Sequence, residues 1–168
     1  MLEGKIVNLR VIEREDLPLC AEWINNPEIS GEYEPLIQSS RTEIEKWYDN
    51  LSQEEKWFFI EKKDRTKIGL IRHAPHGWGT IIGGIVIPSE RGKGYCTEAV
   101  KMLVDYLFLS KDIVRIQART NQQNIASHKV LEKAGFMKEG TMRKSNFSRG
   151  KWRDMLVYSI LREEWKEP

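Results

Sequence analysis

Cysteine and long apolar runs are both scarce in this chain. Only two of its 168 residues are cysteine, Cys20 and Cys96, which is too few for a disulfide framework or for a cysteine-based zinc site. No apolar run reaches the roughly eighteen residues of a membrane helix, and the amino end lacks the apolar core of a signal peptide. We therefore expect a cytoplasmic protein without a metal and without a membrane partner.

The chain also lacks an excess of charge of either sign. It has 27 lysines and arginines against 25 aspartates and glutamates, a net charge of +2, so a nucleic-acid partner is not expected. Apolar residues make up 40% of the chain, which is typical of a folded globular protein. There is no internal repeat and no low-complexity linker, and residues 1–168 are therefore predicted to form a single domain.

Hydrophobic patterning predicts strands and helices in a mixed order. Alternation and short apolar runs predict strands at residues 6–12, 57–62, 67–73, 78–87, 115–120, 136–139 and 151–161. Capping residues and helical spacing predict helices at residues 16–25, 40–51, 97–110 and 124–134. This order predicts an α/β or α+β fold in which helices cover both faces of one sheet.

A glycine-containing loop follows the longest predicted strand, in the sequence IVIPSERGKGYCTEA at residues 85–99. Gly92 and Gly94 precede a helix, whose first N–H groups have no partners and whose dipole favours an anion such as phosphate. The loop is not a Walker loop, because no Gly-Lys-Ser/Thr follows, and Thr97 replaces the third glycine of a dinucleotide fingerprint. Two glycines alone are equally consistent with an ordinary tight turn.

Further motifs favour a phosphate-binding loop over an ordinary turn. Residues 91–96, Arg-Gly-Lys-Gly-Tyr-Cys, resemble the R/Q-x-x-G-x-G/A signature of the GNAT family of N-acetyltransferases, with Cys96 in place of Gly or Ala. The segment from Asn124 to Ser127, the Gly135-Phe136 pair and residues 143–158 are similar to the RimJ/RimL subgroup, which acetylates amino-terminal amines of ribosomal proteins. The resemblance implies acetyl-CoA as the cofactor. It also implies a mostly antiparallel sheet of six to seven strands, with a V-shaped splay at the cofactor strand.

The resemblance implies which residues hold the cofactor. In the family, the backbone of the strand before the loop binds the pantetheine arm, and the loop cradles the pyrophosphate. Gly83 and Gly84, just upstream, would allow a bulge in that strand. The predicted cofactor-binding residues are Ile85, Val86, Ile87, Arg91, Gly92, Lys93, Gly94, Tyr95, Cys96, Thr97, Asn124, Ser127 and Lys129.

Two residues are predicted to be catalytic. Ser127 is assigned to protonate the leaving thiolate, because Leu131 stands where many relatives carry a tyrosine for that role. Asn146 occupies the position of a glutamate base in some RimJ/RimL relatives, and an amide cannot accept the proton. We predict that Glu34 is the general base that takes the proton from the amine. Glu32, His73, Asp154 and a water chain are alternatives.

The predicted activity is direct transfer of an acetyl group to a primary amine, without a covalent acetyl-enzyme. The acceptor that we predict first is a protein amino terminus. Leu131, in place of a tyrosine, favours this acceptor over a polyamine. The alternatives are a small amine (a polyamine, amino sugar or aminoglycoside) or a non-catalytic module that binds acyl-CoA. The sequence leaves the oligomeric state open, a homodimer included.

Overall fold

The computed structural model describes residues 1–168 and contains one eight-stranded sheet in the order β1-β2-β3-β4-β5-β6-β8-β7. The strands are β1 Leu2–Glu3, β2 Val7–Val11, β3 Lys56–Lys62, β4 Lys67–His76, β5 Gly79–Val86, β6 Arg115–Asn121, β7 Met137–Ser148 and β8 Lys151–Leu161. All neighbours are antiparallel except β5 and β6. The predicted mixed, mostly antiparallel sheet is confirmed, with eight strands rather than six to seven.

The sequence predicted two strands poorly. Strand β1 was missed because two residues are too short to show alternation. Strand β7 continues to Ser148, whereas the sequence placed its end at Glu139. It lies at the edge of the sheet, and nearly all its side chains are exposed, so no apolar alternation marks its length.

Five helices cover the two faces of the sheet. They are α1 Leu17–Asn25, α2 Pro27–Ser30, α3 Arg41–Asp49, α4 Tyr95–Ser110 and α5 Ile125–Lys133. Helices α4 and α5 pack on one face over the larger core, while α1 and α3 pack on the other over a smaller one. Helix α2 was not predicted, because Asn26 and Pro27 indicated a stop. The Asn26 side chain accepts a hydrogen bond from the Glu28 N–H and starts a new turn. None of the helices is both long and apolar enough to cross a bilayer.

The sheet opens where its two parallel strands meet. Residues Thr80–Ile82 of β5 pair with Ile116–Ala118 of β6, and the pairing stops there. The rest of β5 is bonded only to β4, whereas β6 continues along β8 as far as Asn121. A V-shaped gap therefore separates the end of β5 from the end of β6, and Gly83 and Gly84 are exposed along it. The predicted splay is confirmed.

Candidate active site

The glycine loop takes a conformation that requires glycine. Gly92 has a φ of +77° and Gly94 a φ of +87°, in the left-handed region that other residues rarely adopt. A Cβ at Gly92 would meet nothing within 4 Å, so the backbone there is open to an approaching group. Gly94 stands at the N-cap of α4 and supplies no side-chain cap to the helix.

The loop presents a row of free donors. None of the backbone N–H groups from Gly92 to Thr97 donates to an acceptor in the protein, and the first such bond of the helix runs from Glu98 to the carbonyl of Gly94. The N–H groups at the start of α4 form the positive end of its helix dipole. Converging N–H groups at a helix start suit the oxygens of a phosphate or pyrophosphate. The loop therefore fits the pyrophosphate of coenzyme A.

Glu98 fixes the position of this loop. Its carboxylate accepts hydrogen bonds from the backbone N–H groups of Lys5, Ile6 and Val7, at 2.6, 2.9 and 3.0 Å. These bonds join the first turn of α4 to the connection between β1 and β2. The sequence reasoning did not single out Glu98, because the contact spans more than ninety residues and no local pattern marks it.

The two charged loop residues have protein partners. Arg91 Nε donates to the carbonyl of Val86 at 2.9 Å, and Arg91 Nη2 donates to the carbonyl of Ile29 at 2.7 Å. Lys93 pairs with Glu90 at 2.9 Å. The sequence placed both charges beside a phosphate. The structure also uses Arg91 to tie β5 to α2 through Nε and Nη2, whereas its Nη1 donates to no acceptor in the protein.

The backbone of β5 offers further unpaired groups to the gap. Ile87 N–H donates to the carbonyl of Ile68, so by the antiparallel alternation Ile85 and Gly83 also bond to β4. The N–H and C=O groups of Gly84 and the N–H of Val86 therefore point towards the gap. The sequence interpretation gave this role to the backbone of Ile85, Val86 and Ile87 and took Gly83 and Gly84 as the site of a bulge. Of these three residues, Val86 is the one whose N–H points towards the gap, because Ile85 and Ile87 bond to β4.

Helix α5 begins on the other side of the gap. Asn124 caps it, because its Oδ1 accepts a hydrogen bond of 3.1 Å from the N–H of Ser127, which leaves the Asn124 Nδ2 free to donate. The half-buried Ser127 hydroxyl has no partner in the protein, and Leu131, one turn later, is buried in the core. Lys129 is exposed and lies about 200° around the helix from Ser127. The structure therefore does not bring Lys129 together with Ser127.

The segment carrying Glu34 spans the mouth of the gap. Arg149, in the turn between β7 and β8, donates to the carbonyls of Pro27, Gly31 and Glu34 at 3.2, 3.0 and 3.3 Å. Arg91 holds the same segment from the β5 side. Desolvation by the surrounding protein raises the pKa of the Glu34 carboxyl, although the residue as a whole is exposed to water. This is the situation of a carboxylate in an open cleft.

The other candidates for the base, and the one candidate for a nucleophile, lie in less suitable positions. His73 is 1% exposed beneath Phe58 and Tyr106, and burial lowers its pKa to about 4. Asp154 lies on the α5 face of β8, where it accepts from the N–H of Lys144, and Glu32 is exposed. Cys96 packs against the main core, and burial raises the pKa of its thiol to about 11, which disfavours a nucleophilic thiolate.

Comparisons with known proteins agree with this geometry. The sequence profile described as "Acetyltransferase (GNAT) domain" matches residues 7–137. The "Probable N-acetyltransferase YjcK" of Bacillus subtilis is 32% identical over 96% of this chain and 97% of its own. The crystal structure of spermidine N-acetyltransferase from Vibrio cholerae, with CoA and spermine, superposes with a TM-score of 0.86 at 24% identity, covering 96% and 98% of the two chains. The crystal structure of ribosomal-protein-S5-alanine acetyltransferase from Vibrio fischeri superposes with a TM-score of 0.83 at 24% identity, covering 98% of each chain.

The chain belongs to the GNAT family of acetyltransferases. The family membership confirms the predicted class of enzyme, an N-acetyltransferase, and the predicted cofactor, acetyl-CoA. The two solved structures are under 25% identical and show the fold. They carry acceptors of different chemistry in their names, so similarity alone does not select one.

Proposed function

We propose that this chain acts as one acetyltransferase domain that binds acetyl-CoA in the V-shaped gap and transfers the acetyl group directly to a primary amine. The observation that carries the proposal is the pair of unpartnered backbone surfaces that meet there. One is the run of N–H groups from Gly92 to Thr97, and the other is formed by Gly84 and Val86 on β5. Together they match an anionic pyrophosphate followed by an arm that contains amides.

The loop and the strand have separate roles in this proposal. The N–H groups of the loop bind the pyrophosphate oxygens, and Tyr95, Cys96 and Thr97 take part through their backbone at the start of α4. Gly84 and Val86 pair with the pantetheine amides, as a neighbouring strand would. Asn124 Nδ2 donates from the opposite side of the gap. Acetyl-CoA supplies an activated acetyl group and a thiol leaving group.

Ser127 protonates the leaving sulfur in this proposal. Its hydroxyl is free, and the first turn of α5 holds it in place through Asn124. The helix start also favours negative charge on the sulfur as the thioester bond breaks. Leu131 is buried and cannot replace it.

Glu34 accepts the proton of the amine, directly or through water. Its raised pKa brings it closer to neutral pH, where a base is most effective. An α-amine, with an ordinary pKa of about 7.7–8.0, needs less help from a base than a lysine amine at about 10.4. This favours the first acceptor, the α-amine of a protein. The spermidine acetyltransferase fold neighbour favours a polyamine as the second candidate.

A turnover assay with a panel of amines tests the proposal. Thiol release from acetyl-CoA would be followed with an alanine-starting tetrapeptide, spermidine and glucosamine, beside binding of acetyl-CoA by calorimetry. Turnover of any amine supports the enzyme, and the preferred amine gives the acceptor class. Binding of acetyl-CoA without turnover of any amine would instead support the non-catalytic module.

A further inference from the structure

The Arg91 side chain connects the glycine loop to the helix that precedes Glu34. Its Nε donates to the carbonyl of Val86 at 2.9 Å. Its Nη2 donates to the carbonyls of Ile29 and Glu28, at 2.7 and 3.3 Å. One side chain therefore joins the strand that is proposed to bind the pantetheine arm to the segment that carries the proposed base.

Two of the five N–H groups of the Arg91 guanidinium remain free. The three bonds to carbonyls use the single N–H of Nε and both N–H groups of Nη2. Nη1 donates to no acceptor in the protein, and the residue is exposed. A ligand oxygen can therefore accept from Nη1 without displacing any bond that Arg91 makes to α2.

The guanidinium of Arg91 lies on the gap side of β5. The C=O of Val86, like its N–H, points away from β4, and this carbonyl accepts from Arg91 Nε. In the chain, Arg91 directly precedes Gly92, where the run of free loop N–H groups begins. The guanidinium therefore lies between the two backbone surfaces that are proposed to bind acetyl-CoA. A pyrophosphate oxygen there would accept a charge-assisted hydrogen bond from Nη1.

The segment at residues 31–39, which joins α2 to α3 and carries Glu34, has few bonds of its own. None of the backbone N–H groups of residues 32–38 donates to an acceptor in the protein. The side chain of Asn25 holds the far end, because it bonds to the N–H and the C=O of Ser39 at 2.7 and 2.9 Å. The position of Glu34 therefore depends on how firmly the near end, at α2, is held.

Arg91 and Arg149 both hold this near end. Arg149 donates to the carbonyls of Pro27, Gly31 and Glu34 from the turn between β7 and β8. A Cβ on Gly31 would lie 4.0 Å from Arg91 Nη2, so the two guanidinium groups reach the same turn of the chain. Cations are favourable at the carbonyl end of a helix. The two arginines differ in one respect, because Arg91 alone belongs to the cofactor loop.

We propose that Arg91 is a positioning residue that couples the cofactor to the acceptor: a pyrophosphate oxygen of acetyl-CoA accepts from its Nη1, and the guanidinium fixed in this way holds α2 and Glu34 in place for the amine. Acetyl-CoA and the amine then bind with positive cooperativity, and each raises the affinity for the other by the same factor. This inference rests on the proposed acetyl transfer and adds how its two substrate sites communicate. It holds for any class of amine.

Calorimetric titration of the full-length protein with an amine tests the coupling. The amine is whichever of the alanine-starting tetrapeptide, spermidine and glucosamine is turned over fastest. Its Kd is measured for the protein alone, with saturating CoA and with saturating ADP. ADP carries a pyrophosphate but no pantetheine arm, so it cannot contact the amine at the thiol end. We expect CoA and ADP each to lower the Kd of the amine about fivefold or more. An effect of CoA without one of ADP would assign the coupling to the arm and overturn the inference.

Variants of the two arginines separate coupling from a purely structural role. In Arg91→Ala, the factor by which CoA lowers the Kd of the amine should fall close to one. Arg91→Lys keeps the charge but not the fork that bonds on two sides, so it should lose the factor as well. Arg149→Ala loosens the same segment without changing the cofactor loop. It should raise the Kd of the amine with and without CoA alike, and so keep the factor. Arg41→Ala, at an exposed position on α3 where the side chain pairs with Glu45, should match the wild type.

The outcomes separate this inference from the proposed function. A factor of one in the wild type overturns the coupling but leaves the acetyltransferase standing. So does a wild-type factor in Arg91→Ala or, if that variant does not fold, in Arg91→Lys. Absence of turnover with every amine overturns the proposed transfer itself, and the coupling with it.

Discussion

The carboxylate of Glu98 accepts a hydrogen bond of 3.0 Å from the backbone N–H of Val7, 91 residues earlier in the chain. The same carboxylate also accepts from Lys5 and Ile6. Because a carboxylate is an acceptor at both oxygens, it holds the amino-terminal strands against the turn that presents the glycine loop. The geometry of the loop therefore depends on a contact far from the loop in sequence.

Glu98→Gln tests this dependence. The amide places an NH2 group against backbone N–H donors, so we expect a loss of about 2 kcal/mol in the free energy of unfolding, measured by urea denaturation. The affinity for acetyl-CoA should fall as well. Lys101→Ala, at an exposed position on the same helix, should change neither quantity. Full stability and affinity in Glu98→Gln would show that the contact does not position the loop.

Gly94→Ala tests the backbone of the loop. A Cβ in the left-handed region costs about 1–2 kcal/mol, so relaxation of the φ of +87° would turn the N–H groups away from the pyrophosphate. We expect the Kd for acetyl-CoA to rise about five- to thirtyfold in calorimetry. Gly140→Ala is the control, because Gly140 has no positive φ and its Cβ would meet nothing within 4 Å. An equal Kd in the two variants contradicts the assignment.

Ser127→Ala tests protonation of the leaving thiolate. Loss of the hydroxyl should lower kcat by about tenfold to a hundredfold, with little change in the Kd for acetyl-CoA. Ser127→Thr keeps a hydroxyl and should recover part of the rate. The helix cap is unaffected in both variants, because Asn124 accepts from the backbone N–H of residue 127. If alanine and threonine give the wild-type kcat alike, another group protonates the sulfur.

Glu34→Gln tests the base. The base must be deprotonated, so kcat/KM per free amine should fall as the pH drops through the pKa of Glu34, which its surroundings hold above the usual glutamate value. The glutamine variant should lose this limb of the profile and be slower above it. Glu32→Gln removes a neighbouring exposed carboxylate and should retain the profile. If Glu34→Gln keeps the fall in kcat/KM at low pH, another group acts as the base.

Local patterns predicted the secondary structure around the cofactor site well. Helix α4 begins at Tyr95, two residues before the predicted start, and Asn124 caps α5 where its helix was predicted to begin. These features depend on glycine conformation and capping, which act within a few residues. The V-shaped splay was predicted only through the resemblance to the GNAT family, since no local pattern distinguishes a strand that parts from its neighbour.

Residues that act across the fold were predicted least well. Arg91 was predicted only as a phosphate ligand, and its bonds to carbonyls of β5 and α2, which depend on tertiary packing, carried no signal in the sequence. The register with β4 decides which residues of β5 point their N–H and C=O groups towards the gap. The assignment of this role to Gly84 rather than Ile85 therefore also required the structure.

His73 makes the stability of the protein sensitive to acid. Burial, together with the positive charges of Lys111, Lys56 and Arg72, lowers its pKa to about 4, and neither ring nitrogen has a hydrogen-bond partner. The unfolded chain, in which the pKa is about 6.5, binds the proton more tightly, so this stability is present above pH 6.5 and is lost as the pH falls to about 4. The loss amounts to about 3 kcal/mol. His73→Met, which fills the site without a titratable group, should retain more of its stability than the wild type between pH 6.5 and pH 4 in urea denaturation, whereas the exposed His76→Gln should follow the wild type. Parallel pH curves for His73→Met and the wild type would mean that the acid sensitivity arises elsewhere.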